Sequence, residues 1–220
     1  MTLLFEPGKM LLVSFVVLLF VAQASGHGRM YEPPSRASMW RFGFNNTANW
    51  SDNQLNCGGF ANQWNHNNGL CGVCGDPFQV AQPRDHEAGG KYGKGIIVRS
   101  YSAGQVIPIE IDITANHWGW FEMRLCDWNN PTEIVTQECL DQNLLEIVGS
   151  GGETRYYVPT DEKKIFYFEV KLPEDVTCSQ CVLQWKYYAG NSWGTDPDGK
   201  ECTGCGQQES FWACADVSIS

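Results

Sequence analysis

The sequence predicts an all-β protein, an immunoglobulin/fibronectin-III-like β-sandwich with long loops and short helical turns. Three observations lead to this prediction. Short segments rich in β-branched and aromatic residues recur along the chain, turn residues separate them, and no long segment has the 3.6-residue period of a helix. The chain has 220 residues and no internal repeat or linker, which fits one such domain.

The strands are predicted in the part of the chain that follows residue 95. They are expected at 96–101, 106–113, 117–126, 165–172, 182–188 and 212–219. In the fourth of these, Phe166, Phe168 and Val170 alternate with more polar neighbours, as in a strand with one buried face. Trp185 and Trp193 are expected to pack in the core.

Residues 27–95 form a contrasting segment, rich in Gly, Asn and Pro and with little periodicity. This composition predicts a long loop region with at most short helical turns. Long ordered loops often carry function.

Residues 1–26 are predicted to be a secretory signal peptide, followed by a single domain over 27–220. Lys9 precedes an apolar run over 10–22, which has the length of a signal h-region and is short for a membrane span. Small residues permit two cleavage sites, one leaving Ser25 first and one leaving His27 first, and do not choose between them. We therefore expect a secreted, extracellular monomer without membrane attachment after cleavage.

The composition restricts the class of partner. A formal net charge of −10 argues against a nucleic acid, because phosphate binding requires a basic face. A neutral glycan is not repelled by this charge. Two Asn-X-Ser/Thr sequons, at Asn45 and Asn49, are candidates for N-glycosylation, and the sequence does not say whether either is used.

Ten cysteines, an even number, are typical of an oxidising compartment. Three CxxC pairs would indicate zinc in a cytosolic protein, but the signal peptide favours disulfides; these pairs are 71/74, 178/181 and 202/205. We expect five disulfides. Cys126 and Cys139 are one predicted pair, because the segment between them reads as a local strand-loop excursion; the remaining pairings stay open.

Two of the four histidines are candidate metal ligands. If cleavage makes His27 the first residue, its amine and its ring Nδ1 can chelate one metal ion, and a second imidazole completes an all-nitrogen set that favours copper(II). The alternatives are that His27 is incidental to the cleavage site and that His117 is a strand-end histidine bonded to a carbonyl. His66 and His86 are expected at the surface.

From His27 the sequence HGRMYEPPSR resembles the mature start of lytic polysaccharide monooxygenases. Later blocks resemble auxiliary-activity family 15, a group rich in invertebrate members: WRFGF from 40, CGG from 57, NNGLCGVCGD from 67, WKYYAGNSWG from 185 and CADV from 214. The resemblance extends over essentially all of 27–220 and favours cleavage after Gly26.

The resemblance implies a histidine brace that binds one copper ion. His27 matches the first ligand and His117 the second. Ala115 matches the small residue that packs beside the open copper position in many relatives.

The last strand supplies the other residues that the resemblance implies. Phe211 matches the axial aromatic residue, often Tyr in relatives; the alternative is a core Phe211 with Tyr187 or Tyr188 approaching the metal. Glu209 matches a polar group near bound oxygen, or else is a solvated strand-end carboxylate. In the loop region, Tyr31 is a candidate for substrate binding because aromatic rings suit sugar faces.

The resemblance implies a copper monooxygenase that cleaves crystalline chitin or cellulose, at C1, using an external electron donor and O2 or H2O2. The alternative is a non-catalytic chitin-binding matrix protein of the same fold, against which the two brace histidines argue. A zinc hydrolase would require a motif such as HExxH, which is absent. The sequence does not nominate a glycosidase carboxylate pair among 25 acidic residues.

Overall fold

The computed structural model describes residues 26–220, so most of the predicted signal peptide lies outside the described residues. Eleven strands occur in this range: β1 (His27–Glu32), β2 (Arg99–Tyr101), β3 (Val106–Ala115), β4 (Trp120–Cys126), β5 (Asn143–Leu144), β6 (Tyr156–Tyr157), β7 (Ile165–Lys171), β8 (Cys178–Tyr188), β9 (Trp193–Thr195), β10 (Glu201–Thr203) and β11 (Ser210–Ile219). The helical elements are a 3-10 turn (Met39–Phe42), a π-helical turn (Ala61–His66) and the four-residue helix α1 (Gln137–Leu140). None of these helices is long and apolar enough to span a membrane.

The strands form two main sheets and a separate hairpin. One sheet has the order β1-β3-β7 and is antiparallel throughout. The other has the order β2-β11-β8-β4-β5, with β6 also paired to β4; β2 runs parallel to β11, and the other pairs are antiparallel. The hairpin is β9-β10. The predicted all-β fold is confirmed.

The core lies between the two main sheets. Alternate side chains of β3 and β7 face inward, and so do alternate side chains of β4, β8 and β11. The inward-facing residues of the central strands are Ile107, Ile109, Ile111, Ile113, Phe121, Met123, Leu125, Leu183, Trp185, Tyr187, Phe211, Ala213, Ala215 and Val217. The first residues of β11 pair with the last residues of β8, with Phe211 opposite Tyr187, whereas β2 pairs only with Val217–Ile219 at the other end of β11.

The strand β1 corrects the prediction that the chain begins as a loop. Its sequence lacks β-branched residues, and it becomes a strand by pairing with β3 at the sheet edge. Gly28 permits this approach: a Cβ atom there would lie 2.6 Å from Ile113 Cδ1 and 3.0 Å from the Trp185 ring. Elsewhere the loop prediction for 27–95 holds, since only the two helical turns interrupt it.

Two predictions of burial were wrong. Trp193 is 69% exposed, because β9 pairs only with β10 and no second layer covers it. His86 was expected at the surface and is only 4% exposed. Its ring stacks on Tyr92, and Nδ1 lies 2.8 Å from an Asp76 carboxylate oxygen, so the loops themselves bury it.

The ten cysteines form five disulfides, as predicted, and no cysteine within residues 26–220 is free. The predicted Cys126–Cys139 bond is present. In two of the CxxC pairs the two cysteines bond to each other, as Cys178–Cys181 and Cys202–Cys205. In the third pair each cysteine bonds to a partner outside the pair, as Cys57–Cys71 and Cys74–Cys214. The last of these fastens the long N-terminal loop to β11.

Candidate metal site

The pairing of β1 with β3 brings the two predicted histidine ligands to one edge of the sandwich. The Cα of His27 is opposite that of Ala115, the last residue of β3. His117 follows two residues later, after the strand has ended. The backbone N–H of Gly28 donates to Asn53 O at 3.1 Å, which ties the start of β1 to the loop region.

The backbone of His117 is held on both sides, but its ring is not. Its N–H donates to the Tyr187 hydroxyl at 3.1 Å, and its carbonyl accepts from Gly190 N at 2.8 Å. The ring Nε2 is buried and has no hydrogen-bond partner among residues 26–220. Because a buried nitrogen without a partner is costly, this atom is the observation that points to a ligand.

Gly26 occupies the space beside this nitrogen. A Cβ atom on Gly26 would lie 3.3 Å from His117 Cδ2 and 3.0 Å from Phe211 Cε2. The rings of His27 and Phe211 are 6.2 Å apart between centroids and tilted by 38°. His27, His117 and Phe211 therefore surround one small volume, which the uncut chain fills with Gly26.

Glu209 closes the same volume from the side. It is only 7% exposed, so it is not the solvated strand-end carboxylate of the alternative interpretation. Its Oε2 accepts a hydrogen bond from Gly26 N at 2.9 Å, and its Oε1 accepts one from Asn56 Nδ2 at 3.2 Å.

Tyr187 and Tyr188, the alternatives to Phe211 beside the metal, lie in different surroundings. Tyr187 stacks on Phe211, with centroids 5.8 Å apart, and its hydroxyl reaches only the backbone of His117. Burial is the main cause that raises the pKa of Tyr187 to about 12, with the charge of Glu209 adding to it and the hydrogen bond from His117 opposing it. The phenol therefore keeps its proton at neutral pH. Tyr188 instead stacks on Trp120, at 4.1 Å, outside this group of residues.

Tyr31 is not brought to the cluster. It lies four residues along β1 from His27, which is about 13 Å of extended strand. Phe42 meets its ring edge-on at 5.2 Å, and the Arg29 guanidinium lies 5.1 Å above it.

Trp118 is a candidate for substrate binding that the sequence analysis did not identify. It directly follows His117, is 50% exposed, and has a φ of 56°, which is unusual for a bulky residue. Asn116 fixes this conformation: its Oδ1 accepts from Trp118 N at 2.9 Å, while its Nδ2 donates to the carbonyls of Thr160 and Glu162. The available signal was the order Asn-His-Trp-Gly at the end of a strong strand.

The donors at this edge fit a copper ion better than zinc. They are imidazole nitrogens and, once the chain is cut after Gly26, an amine, and tetragonal nitrogen sets favour copper(II). Within residues 26–220, the one group of three or more His, Cys, Asp or Glu side chains with mutually close ligand atoms is Cys126, Asp127 and Cys139. Both of its sulfurs are in a disulfide, so it is not a thiolate site.

A β-sandwich that brings two histidines to one edge has the nitrogen donors that a metal ion requires, and comparisons with known proteins identify the family. Residues 27–217 match the family model described as lytic polysaccharide mono-oxygenase, cellulose-degrading. The fold is similar to the solved structure of a lytic polysaccharide monooxygenase of family AA15 from Thermobia domestica in the Cu(I) state. That match has 46% identity and a TM-score of 0.84, and it covers 88% of this chain and 98% of the other. A search among curated proteins finds no match.

The chain therefore belongs to the lytic polysaccharide monooxygenase family, and it is an oxidative enzyme.

Proposed function

We propose that His27, through its amine and ring, and His117, through its ring, hold the single copper ion of this monooxygenase, which cleaves crystalline chitin or cellulose by oxidation at C1. The copper-dependent enzyme class follows from the family and from the copper(I) neighbour. The observation that carries the ligand assignment is the buried, unpartnered His117 Nε2 beside the start of β1.

The proposal includes removal of residues 1–26 and secretion of the domain 27–220. Cutting after Gly26 creates the His27 amine, whose pKa is about 8 in model peptides, so a metal ion can displace its proton at neutral pH. The cut also removes Gly26 from between Phe211 and His117, together with the hydrogen bond that Gly26 N donates to Glu209. The five disulfides agree with an oxidising compartment.

When bound, copper supplies the electron transfer by which O2 or H2O2 oxidises a C–H bond, with electrons from an external donor. The chain's own residues shape the site. The phenyl ring of Phe211 has no lone pair to donate, so it would lie beside a bound ion without coordinating it and would exclude water there. Glu209 would accept a hydrogen bond from an ordered water beside a bound ion, and Ala115, whose Cα is opposite that of His27, would add only a methyl group to this part of the site.

The family makes a polysaccharide the substrate. We propose that the polymer lies across the edge that carries the two histidines, with Trp118 offering an aromatic face to a sugar ring. Tyr31 remains a substrate candidate only if the polymer extends about 13 Å along β1. A monomer suffices for this activity.

The decisive experiment incubates copper-loaded protein with chitin and with cellulose in the presence of ascorbate and identifies the soluble products by mass spectrometry. Aldonic-acid ends indicate C1 oxidation. His117→Ala should abolish both tight copper binding and oxidised products, whereas His66→Ala, which changes an exposed histidine, should leave them intact. Unchanged product yield from His117→Ala would refute the ligand assignment, and binding of chitin without oxidation would favour a non-catalytic matrix protein.

A further inference from the structure

We propose that the secreted protein carries an N-linked glycan on Asn45 and none on Asn49. Both residues lie in Asn-X-Ser/Thr sequons, Asn45-Asn46-Thr47 and Asn49-Trp50-Ser51. Their surroundings in the fold are not equivalent.

Asn49 is buried, and its amide is engaged at both ends. The residue is 7% exposed; its Nδ2 lies 3.0 Å from His86 Nε2, and its Oδ1 accepts from Ser51 N at 3.0 Å. Because an amide nitrogen only donates, His86 Nε2 is the acceptor and the ring proton is on Nδ1, facing Asp76 at 2.8 Å. A sugar on Asn49 Nδ2 would have to displace the His86 ring from its stack on Tyr92.

Asn45 is exposed, and among residues 26–220 no hydrogen bond engages its side chain. The next residue anchors the loop: Asn46 Nδ2 donates to Arg36 O at 3.2 Å and to Tyr92 O at 3.0 Å. With Asn46 held inward, Asn45 is left facing solvent. A glycan therefore fits on Asn45 without any change in the fold.

The anchoring also determines where the glycan lies. Arg36 forms a buried bidentate pair with Asp216 of β11, at 2.6 and 2.8 Å. Asp216 is five residues from Phe211 along the strand, or about 17 Å. The Arg36 backbone that Asn46 contacts lies beside Cys214, because Arg36 N–H donates to Cys214 O at 2.7 Å; Cys214 is three residues, or about 10 Å, from Phe211 along β11. We therefore expect the glycan on Asn45 to leave the histidine edge open to a polymer.

The modification is a group transfer from a lipid diphosphate-linked oligosaccharide in the secretory pathway. Asn45 Nδ2 forms a bond to the anomeric carbon of the first sugar and loses one proton to a base of the transferase, while the lipid diphosphate leaves. A chain modified on Asn49 before folding could not close the Asn49–His86–Asp76 arrangement, so it would not reach this fold. The proposal depends on secretion but not on the copper chemistry.

The test compares three proteins secreted from insect cells: the unmodified sequence, Thr47→Ala and Ser51→Ala. Each substitution removes one sequon hydroxyl and retains the asparagine, and the Ser51 backbone N–H that bonds Asn49 is unaffected. Intact mass should show one glycan on the unmodified sequence and on Ser51→Ala, and none on Thr47→Ala. Oxidative activity should be the same in all three, because the glycan is remote from the histidines.

Peptide mapping of the unmodified protein keeps the proposal testable even if a variant is poorly secreted. Enzymatic release of the glycan in heavy-oxygen water converts the modified asparagine to a labelled aspartate, which identifies the site. The label should fall on residue 45. Folded, secreted protein with a label on residue 49, or with no label on either residue, would overturn the proposal.

Discussion

The His27 amine exists only after the peptide bond that follows Gly26 is cut. Before the cut, Gly26 is buried between Phe211 and His117, and its N–H donates to Glu209. The uncut chain therefore lacks one proposed ligand and fills the space where the metal would bind. Cleavage after Gly26 therefore decides whether the proposed copper site can form.

We expect copper affinity to depend on whether Gly26 is present. Protein that begins at His27 should bind one copper(II) ion tightly, and protein that retains Gly26 should bind it more than about 100-fold more weakly, since the loss of a direct ligand should exceed that of an outer partner. Calorimetric titration of both forms, each verified by intact mass, measures the difference. Equal affinities, or secreted protein that begins at Ser25, would contradict the proposed chelate.

Phe211 is fully buried in the core, and its ring is also 6.2 Å from that of His27, so its position allows the proposed place beside the metal. If its ring covers one side of the copper ion, Phe211→Tyr places a phenol there. The copper(II) electron paramagnetic resonance spectrum should then change. Phe168→Tyr, which alters a core phenylalanine packed against Phe121 and Tyr156, is the control and should leave the spectrum unchanged. Identical spectra for both variants would place Phe211 in the core alone.

The sequence alone does not reveal whether a histidine is buried or which groups it contacts. His86 is buried by Asp76 and Asn49, which are 10 and 37 residues away along the chain. The spacing of these residues has no period, so no local pattern identifies the arrangement. The assignment of His27 and His117 as ligands likewise came from family resemblance rather than from spacing, and it stays a prediction until metal binding is measured.

Among the elements, strands were predictable where packing imposes alternation. The expected segments at 106–113, 165–172, 182–188 and 212–219 all correspond to strands of the sandwich, each with its inward face buried. The strand β1 and the hairpin β9-β10 were not predicted, because their sequences lack this pattern and pairing alone makes them strands. Only the second half of the segment 96–101 is a strand, Arg99–Tyr101 of β2.

The segment that joins β3 to β4 presents Trp118 next to the histidine edge. Asn116 holds the segment by hydrogen bonds to Thr160 and Glu162, and Gly119 passes so close to Tyr188 that a Cβ atom there would lie 1.9 Å from its carbonyl oxygen. This packing fixes the backbone that carries Trp118, so binding through its exposed ring requires little ordering of the main chain. The element is therefore suited to hold a rigid surface such as a polymer crystal.

We expect Trp118→Ala to weaken binding to the polymer. The loss of one aromatic contact should cost roughly 0.5–1.5 kcal/mol, or about 2- to 12-fold in affinity, with copper affinity unchanged because neither histidine is altered. Pull-down isotherms on chitin and cellulose measure the effect. Tyr167→Ala removes an aromatic side chain of β7 that is even more exposed than Trp118 and should have no effect. Equal losses in both variants would mean that the surface binds polymer without a specific aromatic contact.

In the molecule as a whole, the disulfides connect a loop-rich first third to a regular sandwich. The sequence correctly predicted five bonds and one pairing, but it could not pair the rest, because Cys71 and Cys74 look like a local CxxC unit and instead bond to Cys57 and Cys214. Only the packing of the loops on β11 reveals this. The same packing holds the loop residues Asn53 and Asn56 next to the start of β1 and Glu209.

The free energy of unfolding should depend far more on the Cys74–Cys214 disulfide, which joins distant parts of the chain, than on the local Cys178–Cys181 disulfide. Cys74–Cys214 closes a segment with a sequence separation of 140, whereas Cys178–Cys181 has a separation of 3, and all four residues are buried. Chain entropy assigns about 5 kcal/mol to the long loop and about 1.5 kcal/mol to the short one, because the longer loop restricts the unfolded chain more. The Cys74→Ala/Cys214→Ala protein should therefore unfold at a much lower guanidinium concentration than the Cys178→Ala/Cys181→Ala control, as followed by tryptophan fluorescence. Equal shifts of the two midpoints would show that strain or cavity effects at these bonds outweigh loop length.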